Sequence, residues 1–177
     1  MSDEITDQQR LLNEAIALAA EVHVGQVRKQ PDGRPYICHV LDVVNALPER
    51  LHELRLVAAL HDTIEDIEPE RREWLRDRIR TQFGPYVLGG VEAMSHLKKS
   101  QELTTEGDLL LEYEEYIKTS VVHDIYARTV KVVDNYVNMK DHVTKFIDGN
   151  PEEREKSRAK LNQYASSIAT LTEPTFP

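Results

Sequence analysis

The segment AALHDTIED, residues 58–66, carries five polar or ionisable side chains within its last six positions, directly after an apolar helical stretch. His61 and Glu65 are four residues apart, as are Asp62 and Asp66, so each pair would share one face of a helix. An imidazole next to a carboxylate suits a borderline or hard divalent metal ion. The two acidic residues one turn later are then placed to orient or deprotonate a water molecule. A solvated helix end is the alternative interpretation of this segment taken alone.

Three further features favour a metal site over a solvated helix end. His39 follows PYIC at the start of a predicted helix, and Asp134 follows the apolar run TVKVV, residues 129–133. A carboxylate that emerges from a buried segment is costly unless it is paired or binds a metal. Arg28 and Lys29 are adjacent cations in an acidic chain, which indicates recognition of an anionic ligand.

The elements that must position these residues are helices. Apolar residues recur at spacings of three and four through most of the chain, which predicts an all-α fold. The β-branched run 129–133 is interpreted as buried helix, because its flanks keep the helical period. Polar stretches at 30–37 and 95–107 are predicted loops. The predicted helices cover about 6–24, 38–48, 49–64, 68–83, 85–94, 109–122, 124–142 and 151–171, with a frayed tail at 172–177.

Composition excludes several classes of protein. The 177 residues include 22 basic and 31 acidic side chains, a net charge of −9 that disfavours binding to nucleic acid. Cys38 is the only cysteine, so a disulfide framework and a cysteine-based zinc cluster are excluded, which suits a reducing compartment. The polar N-terminus and the lack of a long apolar run predict neither a secretory signal nor a membrane span. We therefore expect a cytoplasmic protein, and the sequence sets no oligomeric state.

The motifs resemble those of the HD-domain phosphohydrolases, and more narrowly the hydrolase domain of RelA/SpoT proteins and the free-standing small alarmone hydrolases. They occur in the family's order and reach from about residue 13 to residue 142. The HD pair alone is common to many hydrolases, whereas the combination is specific. The matching segments are HVGQVRK (23–29), PYICH (35–39), AALHDTIED (58–66), FG (83–84) and VKVVDNYVNM (130–139).

The resemblance implies a single HD-type helical bundle over residues 1–177 that binds one divalent ion, usually Mn²⁺. A mixed imidazole and carboxylate set fits manganese better than a structural zinc site. The positions that match the family's metal ligands are His39, His61, Asp62 and Asp134. Those that match its water-activating pair are Glu65 and Asp66, and those that match its nucleotide contacts are Arg28, Lys29 and Asn138. Lys131 is added here as a candidate phosphate contact, because it precedes the last ligand by three residues and shares its helix face.

By similarity, the reaction is hydrolysis of the 3′-pyrophosphate of ppGpp to give GDP and pyrophosphate, or of pppGpp to give GTP and pyrophosphate. We expect hydrolysis without synthesis, because the chain leaves no room for the synthetase domain of long RelA/SpoT proteins. Two departures from the family pattern are Val40, where Pro is usual, and Asn135, where a cation is common. Two alternatives stay open, and the lost cation motivates the first of them. One is an HD phosphohydrolase for another nucleotide, such as an adenine alarmone or NADPH, and the other is a non-catalytic HD module that binds a nucleotide.

Overall fold

The computed structural model describes residues 6–28, 33–97 and 106–174. Within them the predicted all-α class is confirmed, and the only strand-like pairing is a single bridge between Val27 and Pro35. Among the described helices, none combines the length and the apolar character that a bilayer crossing requires. Lys29, a predicted nucleotide contact, lies outside the described residues. The α-helices are α1 (Asp7–Val22), α2 (Ile37–Ala46), α3 (His52–Leu60), α4 (Thr63–Asp66), α5 (Arg72–Phe83), α6 (Pro85–Met94), α7 (Glu106–Thr119), α8 (Ile125–Asp148) and α9 (Pro151–Thr172).

The chain folds as two compact units, residues 1–95 and 96–177. The first unit contains α1 to α6, and the second contains α7 to α9. The first helix begins at Asp7 and is capped by Thr6, the residue before it. The Thr6 side chain accepts a hydrogen bond from the Gln9 amide, and the Gln9 side chain accepts one from the Thr6 amide.

Helix α3 lies at the centre of the first unit and packs against α1, α2 and α6. Its last five residues, 56–60, are all apolar and all buried. A helix that is apolar on every side at its end must be surrounded by other elements. The polar segment that follows is therefore delivered to the interior of the unit rather than to solvent.

The predicted helix over 49–64 is wrong in one respect, because α3 ends at Leu60 and α4 begins only at Thr63. The His61 ring Nδ1 lies 2.8 Å from the carbonyl oxygen of Ala58, and the Thr63 hydroxyl donates to the carbonyl oxygen of Leu60 at 2.7 Å. Side chains that bond nearby carbonyl groups compete with the regular helix ladder. His61 and Asp62, the HD pair, therefore lie in the turn between the two helices and not on the face of one continuous helix.

The second unit is built on α8 and α9, which pack along each other. The short connection between them ends at Asn150, whose side chain caps the start of α9 by accepting from the Glu152 and Glu153 amides. The β-branched run 129–133 lies inside α8, as predicted. This long helix presents the second group of candidate site residues.

Candidate metal centre

Three side chains that could bind a metal ion converge in the first unit, although they come from two separate places in the chain. His39 lies in the first turn of α2, and His61 and Asp62 form the turn after α3. The Oδ2 atom of Asp62 is 2.8 Å from Nε2 of His61 and 3.9 Å from Nε2 of His39. Both imidazoles are almost completely buried, whereas the aspartate side chain keeps 18% of its surface exposed. The two rings are thus shielded from solvent, and the carboxylate is in part accessible to it.

The hydrogen bonding of His61 sets which ring nitrogen is available. Its Nδ1 lies 2.8 Å from the carbonyl oxygen of Ala58, which can only accept. The Nδ1 atom must then carry the proton, and Nε2 of a neutral ring is left with a lone pair. That lone pair faces the carboxylate of Asp62, so two electron-rich atoms lie 2.8 Å apart. A shared cation, either a proton or a metal ion, is required to make this contact favourable.

The two donor separations that involve Asp62 fit a single metal ion. Bonds of about 2.1 Å to imidazole nitrogen and carboxylate oxygen allow two donor atoms on one ion to be up to about 4.2 Å apart. The separations from Asp62 to His61 and to His39 lie inside that limit. Two nitrogen donors and one oxygen donor suit divalent manganese, iron, cobalt or zinc, in preference to an all-oxygen ion such as calcium.

Tyr36 is a site residue that was not singled out from the sequence. Its hydroxyl donates to Oδ2 of Asp62 at 2.6 Å, the short distance expected for an O–H group bonded to a carboxylate. A bridge between Val27 and Pro35 places it, and its amide donates to the carbonyl oxygen of Gln26 at 2.9 Å. The motif PYICH contained the residue, but the spacing gave no reason to pair it with a position 26 residues later.

The rings of the site form a continuous row. His23 stands 4.8 Å from Tyr36 between ring centroids, Tyr36 is 5.6 Å from His39, and His39 is 5.4 Å from His61. The guanidinium carbon of Arg28 lies 5.9 Å from the centroid of the Tyr36 ring, within cation–π range. Arg28 therefore brings a positive charge to the edge of the row, next to the candidate metal ligands.

The two acidic residues of the short helix α4, Glu65 and Asp66, have different neighbours. The Oδ2 atom of Asp66 lies 3.4 Å from Nδ1 of the buried His23, and its side chain is 31% exposed. Glu65 has a half-buried side chain, and its backbone carbonyl accepts from Arg72 at 3.4 Å. Arg72 also donates from Nε to the carbonyl oxygen of Ile64 at 3.1 Å, so this side chain closes the end of α4.

In the second unit, Asp134 has a carboxylate held by two residues of its own helix. Nζ of Lys131 lies 3.0 Å from Oδ2, and Nδ2 of Asn138 donates to Oδ1 at 2.7 Å. Asp134 is only 3% exposed, so its negative charge is compensated by a cation and an amide. The face shared by positions 131 and 134, predicted from their spacing, is present.

Asn135, which stands where the family commonly has a cation, lies inside the helix packing of the second unit. Its side chain is completely buried and donates from Nδ2 to the Ser167 hydroxyl at 2.8 Å, while the Tyr113 hydroxyl donates to its Oδ1 at 3.3 Å. The three residues link α8, α9 and α7 within the second unit. The amide is thus occupied inside the helix packing, and an effect of the missing cation on phosphate contacts or base preference stays a prediction.

A protein-family model described as an HD domain matches residues 15–169. GTP pyrophosphokinase rsh of Brucella ovis is 33% identical over 132 residues, which cover 73% of this chain and 16% of that protein. The guanosine-3′,5′-bis(diphosphate) 3′-pyrophosphohydrolase of Haemophilus influenzae is 28% identical over 125 residues, covering 70% of this chain and 17% of that protein. The chain thus spans under a fifth of the length of these relatives.

A solved structure has the same fold. It is described as a metazoan ortholog of SpoT that hydrolyzes ppGpp, and it aligns with a TM-score of 0.65 at 21% sequence identity. The alignment covers 96% of this chain and 92% of that one. The matched regions include both compact units, so the two units occur together in other proteins.

Proposed function

The chain belongs to the HD-domain family, and on that basis we propose that it is a metal-dependent pyrophosphohydrolase of (p)ppGpp. Water would be added at the 3′-diphosphate, giving GDP from ppGpp or GTP from pppGpp, with release of pyrophosphate. The relatives named above as GTP pyrophosphokinase and as ppGpp pyrophosphohydrolase, and the solved SpoT ortholog, support this choice of substrate.

The observation that carries the proposal is the contact between Nε2 of His61 and Oδ2 of Asp62. With its Nδ1 facing the Ala58 carbonyl, His61 turns a lone pair toward the carboxylate at 2.8 Å. Because Nδ1 already faces an acceptor, this contact is favourable only when the ring and the carboxylate share a cation, and a metal ion is one such cation. The geometry of His61 and Asp62 therefore supports a role for both residues as ligands of one metal ion.

We assign His39, His61 and Asp62 as metal ligands, and Asp134 as the fourth on the strength of its place in the family motif. Mn²⁺ is the proposed ion. When bound, it would lower the pKa of a water molecule and offset charge on the phosphorus under attack. The protein's part is to hold the ligands in place, since phosphoryl transfer relies mainly on positioning and electrostatics.

Glu65 and Asp66 are proposed to orient the attacking water and to receive its proton. Both lie on α4, immediately after the HD pair, and both carboxylates remain partly accessible. A general base has to be within hydrogen-bond reach of the proton it takes. The closing of α4 by Arg72 limits how far this pair can move.

Arg28, Lys29, Lys131 and Asn138 are proposed to contact the nucleotide. The guanidinium of Arg28 lies beside the Tyr36 ring, where a purine base or a phosphate could meet it. We assign a nucleotide as the partner, with no role for nucleic acid or membrane, and the cytoplasm as the location. The net charge of −9 and the single cysteine support those assignments.

The test is pyrophosphate release by the purified chain with Mn²⁺ and ppGpp, with the nucleotide product identified by ion-exchange chromatography. We expect GDP and pyrophosphate in equal amounts and no release in excess EDTA. Parallel reactions with pppGpp and adenosine 3′-pyrophosphates, followed as pyrophosphate, and with NADPH, followed as orthophosphate from its 2′-phosphomonoester, define the substrate preference. Preferred turnover of an adenine nucleotide would replace the guanine assignment. Saturable nucleotide binding without release from any substrate would instead indicate a non-catalytic module.

A further inference from the structure

We propose that His23 is a positioning residue, which holds the carboxylate of Asp66 in the orientation that the reaction needs. This inference rests on the proposed function, since it assigns a role to a residue outside the metal ligands. The evidence is a buried imidazole at the end of α1 whose one bonded nitrogen faces Asp66.

The contacts of His23 determine where its proton lies. Its Nδ1 is 2.9 Å from Oε1 of Gln26 and 3.4 Å from Oδ2 of Asp66, and both oxygens are acceptors. Nε2 has no hydrogen-bond partner among the described residues, so a proton there would be a buried donor without an acceptor. The ring is therefore best accommodated with its proton on Nδ1, shared between the amide and the carboxylate.

The fold fixes His23 more firmly than packing alone would. The residue ends α1, where its amide donates to the Ala19 carbonyl at 2.9 Å. Gly25 follows with a φ of 77°, a conformation that L side chains rarely adopt, and this turn brings the Gln26 amide to within 3.0 Å of the His23 carbonyl oxygen. The ring of Tyr36 covers one face of the imidazole.

Asp66 is the member of this pair that needs to be held. Its side chain is 31% exposed, while that of His23 is fully buried, so burial restrains the donor but not the carboxylate. A fixed donor to Oδ2 reduces the rotational freedom of Asp66 and leaves Oδ1 available to a water molecule. Partners of this kind around metal sites typically change activity by about 10- to 100-fold when they are removed.

The central experiment compares three substitutions that differ in where they place a donor. H23N puts an amide nitrogen near the position of Nδ1, H23Q extends an amide toward Nε2, and H23L keeps the bulk with no donor. We expect H23L and H23Q to lower kcat by about 10- to 100-fold with KM and the Kd for Mn²⁺ unchanged. H23N should recover most of the turnover.

A double-mutant cycle with D66A separates positioning from general stability. If His23 acts through Asp66, H23L should cost little further turnover in the D66A background. An equal loss in both backgrounds would overturn the proposal. Equal losses of thermal stability and of turnover in H23N and H23L would also overturn the proposal. Two side chains of similar size would then have the same effect whether or not they carry a hydrogen-bond donor.

Nitrogen-15 NMR of the full-length chain provides a readout that does not depend on activity. We expect His23 to carry its proton on Nδ1, and that resonance to shift in D66A and to stay unchanged in D42A, which alters an exposed aspartate of α2. A proton on Nε2, or no response to D66A, would refute the contact. Should the wild-type chain release no pyrophosphate, the proposed function fails, and the NMR result still decides whether His23 holds Asp66.

Discussion

The hydroxyl of Tyr36 and Nε2 of His61 approach the same oxygen atom, Oδ2 of Asp62, at 2.6 Å and 2.8 Å. The tyrosine hydroxyl donates a hydrogen bond to this oxygen, whereas Nε2 of His61 can share a proton or a metal ion with it. Tyr36 therefore orients the carboxylate toward the ring, which makes it part of the scaffold behind the candidate metal ligands.

Replacing Tyr36 with Phe should weaken metal binding without removing a ligand. Y36F keeps the ring that packs between His23 and His39 but deletes the donor to Asp62, and hydrogen-bond partners of metal ligands are worth about 10- to 100-fold in affinity or activity. Calorimetric titration with Mn²⁺ measures the change. Y86F is the matched control, because Tyr86 is 76% exposed. Equal affinities for Y36F and Y86F would show that the hydroxyl does not support the site.

Asp62 and Asp66 have different proposed roles, so their substitutions should affect turnover and Mn²⁺ binding differently. D62A should abolish turnover and weaken Mn²⁺ binding, because it removes a proposed ligand. D66A should lower turnover while largely retaining the metal, because its nearest described partner is His23 rather than His39 or His61. Metal content after gel filtration, measured beside pyrophosphate release, tests both. Equal metal loss in the two variants would invalidate the separation.

Residue types and spacings were sufficient to predict the all-α class and to select His61 and Asp62 as candidate ligands. Helical periodicity is a strong signal over long segments, so the β-branched run in α8 was assigned to helix correctly. The break between α3 and α4 was missed, because it depends on the side-chain bonds of His61 and Thr63 to carbonyl oxygens. Periodicity carries no information about such competition.

Contacts that join distant segments were beyond reach of the same reasoning. Tyr36 and Asp62 are 26 residues apart, and only the fold brings their oxygens together. The hydrogen bond of Asn135 to Ser167 was likewise not predictable, because the two residues are 32 positions apart and lie on different helices. The assignments of metal ligands and nucleotide contacts as a whole stay predictions that the experiments above address.

Arg72 is expected to control the position of α4. R72A removes the donors to the carbonyl oxygens of Ile64 and Glu65, leaving the end of this one-turn helix without those bonds. A charged hydrogen bond contributes about 1.5–3 kcal/mol, so the variant should be less stable by about that amount and should lose turnover. Urea denaturation gives the free energy of unfolding. R80A, on the same helix with an exposed ion pair to Asp77, should cost well under that.

Amide hydrogen exchange localises the effect of R72A. The Asp66 amide donates to the Asp62 carbonyl and the Ile67 amide to the Thr63 carbonyl, at 3.0 and 3.1 Å. We expect faster exchange at both amides in R72A and unchanged exchange in R80A. Protected amides in R72A together with lost turnover would mean that the arginine acts elsewhere.

Substitution of Asn135 should change stability and leave base preference unaltered. N135A leaves the Ser167 hydroxyl and the Tyr113 hydroxyl without this partner in a buried place, at a cost of about 1–3 kcal/mol in the free energy of unfolding. N135K, which restores the cation common in the family, would bury a charge and should cost about 3–5 kcal/mol, as an uncompensated buried charge does. For a chain of this size each kcal/mol lowers the Tm by about 2–4 °C, so calorimetry resolves both changes. N45A, at an exposed asparagine of α2, serves as the control.

The ratio of guanine to adenine turnover should be the same in wild type and N135A, since the Asn135 side chain reaches Ser167 and not solvent. A changed ratio with an unchanged Tm would show that Asn135 affects substrate recognition and not the stability of the fold.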